Sequence, residues 1–423
     1  MNKHVSTRRV FLTKGLTLLA VAPTVPAFLD QSVLAMADPL DVTRTQRASG
    51  KDGKILVVVQ LSGGNDGLNT VIPHGDHEYR RARPQLGHDA KSVLKIDDYL
   101  GLHPSLGGLK KLFDDGRMGI VQGVGYPNPN RSHFRSMDIW QSAEPEREAP
   151  GSGWLGRYFD NTCKGNDPHV GVAIGQTLPL AMLGERVRPL SFERPETYRY
   201  NGKDAERFAA LNKVEDGGSK TEERKTGAAG ELDFLHRTAM DAQLSSDEIL
   251  GMTRRYRPEG NYPFGEFGGA LRTVAAMIAG GLPTRVYYLS QGGYDTHAGE
   301  RGRHDQLMSQ LAQGVGAFWD DLKRQGNADR VMMMTFSEFG RRVEQNASGG
   351  TDHGAAAPMF LFGNHVKQGV IGKHPSLTDL DQGDLRYAID FRSVYAAVLQ
   401  NWLEAPGGEI LGKQFTPVPV VKA

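Results

Sequence analysis

Between residues 55 and 61 the chain reads Ile-Leu-Val-Val-Val-Gln-Leu, an almost unbroken apolar run closed by Ser62-Gly63-Gly64. Such a run leaves no polar face, so it fits a strand buried on both sides, as in a parallel sheet covered by helices. Short runs of the same kind recur at Gly119 to Val124, Arg285 to Leu289, Val331 to Phe336 and Pro358 to Phe362. The spacing between them changes to the helical period. Phe267, Ala270, Leu271, Val274, Met277 and Ile278 form one stripe; Leu307, Leu311, Val315, Phe318 and Leu322 form another. Asp390 is placed to cap a last helix, with Phe391, Val394, Val398 and Trp402 inward and Pro406 beyond its end. Strands alternating with helices predict an α/β fold with a mostly parallel central sheet and helices on both faces. Met332-Met333-Met334 falls in mid-strand with no other soft ligand nearby, so it reads as core.

Two segments break the pattern. The stretch from 190 to about 260 holds, between Lys203 and Lys225, many Glu, Lys, Arg and Gly and few apolar residues. It predicts an exposed polar insertion that leads into a helical cap over Leu232 to Met252. At the N-terminus, Lys3, Arg8, Arg9 and Lys14 precede a short apolar stretch from Gly15 to Ala22, and Ala35-Met36-Ala37 follows. Basic, apolar and small-residue parts in that order are a signal peptide rather than fold. Ser6-Thr7-Arg8-Arg9-Val10-Phe11-Leu12 resembles the twin-arginine export signal. The expected organisation is a signal over residues 1–37, a tether over 38–53 and one domain over 54–423. The expected location is periplasmic or secreted.

Composition narrows the function. Basic and acidic residues balance, 50 against 49, which gives no argument for nucleic acid or an anionic membrane. No segment after the signal is apolar enough to span a bilayer. Cys163 is the single cysteine, so no internal disulfide forms. That economy suits a chain that completes folding in the cytoplasm before transport.

The residues able to do chemistry cluster beside the predicted strands, where open α/β sheets bind ligands. They are Gly63-Gly64-Asn65-Asp66-Gly67, Asn128 to Arg135, Gly293-Tyr294-Asp295-Thr296-His297, Ser337 to Arg342, and Gly350-Thr351-Asp352-His353-Gly354. Asp and His suit Zn, Mn or Mg, and a site with open positions is catalytic. His297 and His353 stand out as ligands. Asp66, Asp295, Glu338 and Asp352 are the acidic candidates. Ser132 opens a predicted helix, whose free N–H groups favour an anion, and a serine there can act as nucleophile. His133 either joins the chemistry or packs beneath that helix. Arg131 and Arg135 are either surface charges or a clamp for phosphate or sulfate. His304 lies on a polar helix face and reads as solvated; His74, His77, His88, His103, His365 and His374 read as loop histidines.

Across about Lys54 to Trp402, these clusters together resemble the exported family called domain of unknown function 1501. That family is assigned to the alkaline phosphatase and sulfatase superfamily. The resemblance implies an alkaline phosphatase-like fold with a two-metal centre. It implies Ser132 as nucleophile, Asp295, His297 and His353 at one metal, and Asp66 with Glu338 at the other. Glu338-Phe339 stands where the superfamily often has Asp-His, and the Asp295 to His297 gap is shorter than usual.

Three readings follow: an exported metal-dependent hydrolase of phosphate or sulfate esters, with a small anionic substrate; a non-catalytic binding or envelope-assembly protein; and a nucleotide binder using the Gly63-Gly64 turn. Each demands a different cofactor: a divalent metal, none, or a nucleotide. Export is tested first. Replacing Arg8 and Arg9 together with lysine should trap the precursor in the cytoplasm, scored by fractionation; an unchanged periplasmic yield would exclude the twin-arginine route.

Overall fold

The computed structural model describes residues 53–163, 167–198 and 245–422. The expected export signal, the expected tether up to residue 52, and residues 199–244 of the expected insertion lie outside the described residues. Nine strands build the main sheet: β1 (Ile55–Ser62), β2 (Met118–Gly125), β3 (Gly171–Ile174), β4 (Leu190–Phe192), β5 (Val286–Gly292), β6 (Val331–Phe336), β7 (Ala357–Phe362), β8 (Gly369–Ile371) and β9 (Ile389–Asp390). Their spatial order is β8-β2-β7-β6-β1-β5-β3-β4, with β9 also beside β2. β1 lies at the centre, parallel to β5 and β6, with Val57 opposite both Tyr287 and Met333. Only β7 runs against its neighbours, antiparallel to β2 and to β6. The fold is therefore α/β with a mostly parallel sheet, as the apolar runs predict.

Alternate residues of β1 feed two cores, because successive side chains leave a strand on opposite faces. Val57, Val59 and Leu61 pack under α1 (Gly107–Asp114), α4 (Glu266–Gly280) and α5 (Glu300–Arg324). Leu56 and Val58 pack under α2 (His133–Ser142), α3 (Trp154–Thr162) and α6 (Phe391–Ala397). This second core is aromatic: Trp154 stacks on Tyr395 with ring centroids 4.2 Å apart, and Trp140 on Phe391 at 4.4 Å. Asp390 caps α6 by accepting from the Arg392 N–H, and the chain continues helically to Trp402, as its spacing predicts. Met332, Met333 and Met334 are all buried core.

β3 and β4 are absent from the sequence expectation. They are short, and Gly171 and Ser191 interrupt their apolar pattern, so neither reads as a buried run. Leu190–Phe192, at the start of the expected insertion, belongs to the sheet and pairs in parallel with β3. Residues 245–255 are helical and bury Ile249, Leu250 and Met252. No helix among the described residues is long and apolar enough to cross a membrane.

The reversal of β7 decides where the chemistry goes. β1, β2, β5 and β6 share one direction, so the loops after them meet at one rim. β7 enters from that same rim, which brings the loop before it, residues 350–356, to the others. Trp154 has no exposed surface to speak of and holds α3 against α6. Trp154→Ala should cost about 3–5 kcal/mol, read as a lower urea midpoint at unchanged m.

Candidate metal centre

Asp295 and His297 leave the end of β5 two residues apart, and His353 arrives from the loop before β7. Asp295 Oδ1 lies 3.1 Å from His297 Nε2 and 3.1 Å from His353 Nε2, and the two Nε2 atoms are 2.9 Å apart. Proton placement gives this geometry its meaning. His353 Nδ1 is 2.8 Å from the carbonyl of Arg131, which can only accept, so Nδ1 carries the ring proton. His297 Nδ1 is 3.2 Å from Asp352 Oδ1, with the same consequence. Both Nε2 atoms then present lone pairs to one another and to a carboxylate oxygen.

Three electron-rich atoms so close repel unless a cation lies among them. Ligands about 2.0–2.2 Å from a tetrahedral zinc stand roughly 3.3–3.6 Å from one another; the spacing here is only slightly tighter. The orienting carbonyl and carboxylate behind the two imidazoles are what metal-bound histidines usually have. His133 extends the set. Its Nδ1 lies 2.9 Å from Glu338 Oε1, which turns its Nε2 toward Asp295 Oδ2 at 3.5 Å. The donor chemistry therefore fits a divalent ion.

Arg341 fixes these loops relative to one another. Its guanidinium is fully buried and donates to the carbonyls of Gly63, Gly64 at 2.7 Å, Tyr294 at 2.9 Å and Thr351 at 2.8 Å, and to Asp295 Oδ1 at 2.7 Å. Burial pushes the Asp295 carboxyl up, but the hydrogen bond and positive charge of Arg341, with the imidazoles beside it, outweigh burial and hold the group at about 2. Burial also pulls His353 below the ordinary imidazole value, which keeps its ring neutral. Hydrogen bonds from Asn346 and His297 hold Asp352 low. The loops also need close backbone approach. A Cβ on Gly350 would collide with the His297 backbone, and one on Gly63 (φ +120°) with the Asp295 backbone.

The other sequence candidates distribute around this centre. Glu338 is buried and accepts from the Gly63 N–H at 2.8 Å as well as contacting His133, so it orients rather than ligates. Asp352 likewise orients His297. Ser132 caps α2 without using its hydroxyl in a capping bond, and it is exposed. Arg135 donates to the carbonyls of Pro145 and Glu148, and Arg131 pairs with Asp384, so both guanidiniums are engaged away from the histidines. Asp66 does not meet the others: its carboxylate is fully buried against Arg83.

Three histidines expected to be solvated or in loops are buried: His88, His103 and His304. Ligand-type atoms of His88, His103 and Asp305 also lie near one another. There, however, the Ser105 N–H donates to His103 Nδ1 at 3.1 Å. The proton is left on Nε2, 2.9 Å from Asp305 Oδ1, where a metal would need a lone pair.

Arg83 and Glu300 were not foreseen as part of this region; Arg341 was placed there within the Ser337 to Arg342 cluster, but without a role of its own. Arg341→Lys offers one point of charge where five acceptors surround a planar fork. It should lower stability by about 3 kcal/mol or more, measured by urea unfolding. A loss under about 1 kcal/mol would mean that the loops hold without the clamp.

Among curated proteins, none matches the sequence. Solved structures overlap in part. The PsFucS1 sulfatase from Pseudoalteromonas sp. is 10% identical, with 95% of this chain and 75% of that one covered and a TM-score of 0.37. A protein in the alkaline phosphatase superfamily from Vibrio parahaemolyticus is 9% identical over 82% and 70%, TM-score 0.33. Murine ectonucleotide pyrophosphatase/phosphodiesterase 5 is 9% identical over 84% and 96%, TM-score 0.36. A family model matches residues 53–399, and the chain belongs to that family, described as protein of unknown function (DUF1501).

Proposed function

We propose that this protein is an exported hydrolase of phosphate or sulfate esters that works with one divalent metal. Asp295, His297 and His353 would hold the ion. The observation that carries the reading is the convergence of two imidazole lone pairs and a carboxylate oxygen within 3.1 Å, each imidazole braced from behind. Two nitrogens and one oxygen suit Zn or Mn better than Mg, which prefers oxygen ligands. Bound there, the metal would polarise the ester and lower the pKa of a coordinated hydroxyl or water.

The chain's own groups supply the rest. Ser132, exposed at the start of α2, offers a hydroxyl as nucleophile beside free helical N–H groups that favour the anionic ester. His133, braced by Glu338, presents Nε2 as a proton acceptor close to Asp295. The occupation of Asp66 by Arg83 supports a single ion in place of the two-metal centre that the superfamily resemblance implies. The non-catalytic reading draws on one observation, that Arg131 and Arg135 are engaged elsewhere and leave no arginine clamp for the anion.

Metal analysis of folded protein separates the two readings. Wild type offered Zn, Mn and Mg should retain one of them, and His297→Ala and His353→Ala should each weaken binding at least 10–100-fold. Ser132→Ala should keep the metal and lose turnover of chromogenic phosphate and sulfate esters. A folded wild type that stays metal-free would overturn the hydrolase reading and favour a binding protein.

A further inference from the structure

Two buried acids have no role in the centre itself. Asp66 follows β1, and Glu300 is the first residue of α5; they are 1% and 0% exposed. Each has one oxygen with an ordinary donor. Asp66 Oδ2 takes Arg83, and Glu300 Oε2 takes the Thr351 hydroxyl at 2.6 Å. The remaining oxygens, Asp66 Oδ1 and Glu300 Oε1, are buried and find no N–H or conventional O–H donor. One turn along α5 from Glu300, His304 Nε2 lies 3.4 Å from the side-chain oxygen of Asn65, the neighbour of Asp66, and this contact brings the two carboxyl groups within hydrogen-bonding reach of each other. Two ionised carboxylates cannot bond in that way, because each can only accept.

We infer that Asp66 and Glu300 share a single proton, with Glu300 the neutral carboxylic acid that donates to Asp66 and accepts from Thr351. The pair plus Arg83 then carries no net charge, which is the cheapest way to bury three ionisable groups. Burial and the negative Asp66 push the Glu300 carboxyl well above the usual range; burial also pushes Asp66 up, but Arg83 and the bond from Glu300 hold it low. His304 faces the same pocket and stays neutral, its pKa lowered by burial. Glu300 acts as a positioning residue. It ties the loop after β1 to Thr351, whose carbonyl also takes Arg341 and whose next two neighbours are Asp352 and His353. Arg83 extends the tie by donating to the carbonyls of Arg342 and Val343 at 2.8 and 2.9 Å. The consequence for the centre rests on reading His353 as a ligand; the shared proton does not.

The full chain, stripped of metal by a chelator, tests the proton alone. At neutral pH its infrared spectrum should show the carbonyl band of a protonated carboxylic acid, absent in Glu300→Gln. Glutamine keeps both a donor to Asp66 and an acceptor for Thr351, so Glu300→Gln should fold as stably as wild type or better, whereas Glu300→Ala should be clearly weaker. The sign with pH follows from linkage. Unfolded glutamate loses its proton near pH 4.3 while the folded group keeps it. The wild-type folding constant should therefore fall, relative to that of Glu300→Gln, by up to about tenfold per pH unit above that value, levelling off once the pH passes the raised pKa of the folded group. With zinc restored, Glu300→Ala should bind it roughly tenfold more weakly and Glu300→Gln about as wild type. A wild type without the acid band, or a Glu300→Gln as unstable as Glu300→Ala, overturns the assignment.

Discussion

A guanidinium sealed inside a protein must have its donors satisfied, since an unpaired buried charge costs several kcal/mol. Arg341 meets that demand with four backbone carbonyls and one carboxylate, and these come from three loops far apart in sequence. The requirement runs both ways. Because the cation cannot be left unpaired, the turns after β1 and β5 and the loop before β7 must converge on it. Asp295 is the carboxylate in that set, so the same constraint that closes the loops also aims a candidate metal ligand. A lysine carries equal charge but cannot address five acceptors spread around a plane.

Rigid support stands behind this clamp. β1, β5 and β6 are central strands with both faces covered, so the chain ends that leave them have little freedom. The glycines supply what side chains would forbid. At Gly63 the backbone takes a left-handed φ and passes against Asp295; at Gly350 the loop lies directly on the His297 backbone. Ligands held in this way need little reorganisation to accept an ion, which is the usual condition for a competent site.

Away from the rim, ionisable groups of both signs are buried together. Asp66 and Glu300 sit within one pocket with Arg83 and His304, and burial drives each imidazole there toward its neutral form. A buried cluster of this kind is stable only if its charges cancel, and one shared proton achieves that. The same network spans from the loop after β1 to the 341–343 segment and to Thr351, so the deep polar pocket and the exposed centre are mechanically one unit.

The apolar runs by themselves determined the central strands, the two long helices and the α/β class, because burial on both faces leaves an unbroken run and burial on one leaves a stripe. They also placed polar clusters at strand ends, from which Asp295, His297 and His353 could be named together. Short edge strands such as Leu190–Phe192 were invisible, since three residues carry no periodicity. The roles of polar residues were decided by tertiary structure. Asp66 and Asp295 follow strands in similar contexts, yet one is neutralised by Arg83 and the other faces two imidazoles. His304 lies among polar residues in sequence but is buried against Asn65 and Thr70. A hydrophobic pattern records how much of a side chain meets solvent on average. Which donor each carboxylate meets, and therefore whether it binds a proton, an arginine or a metal, depends on contacts between residues tens to hundreds of positions apart.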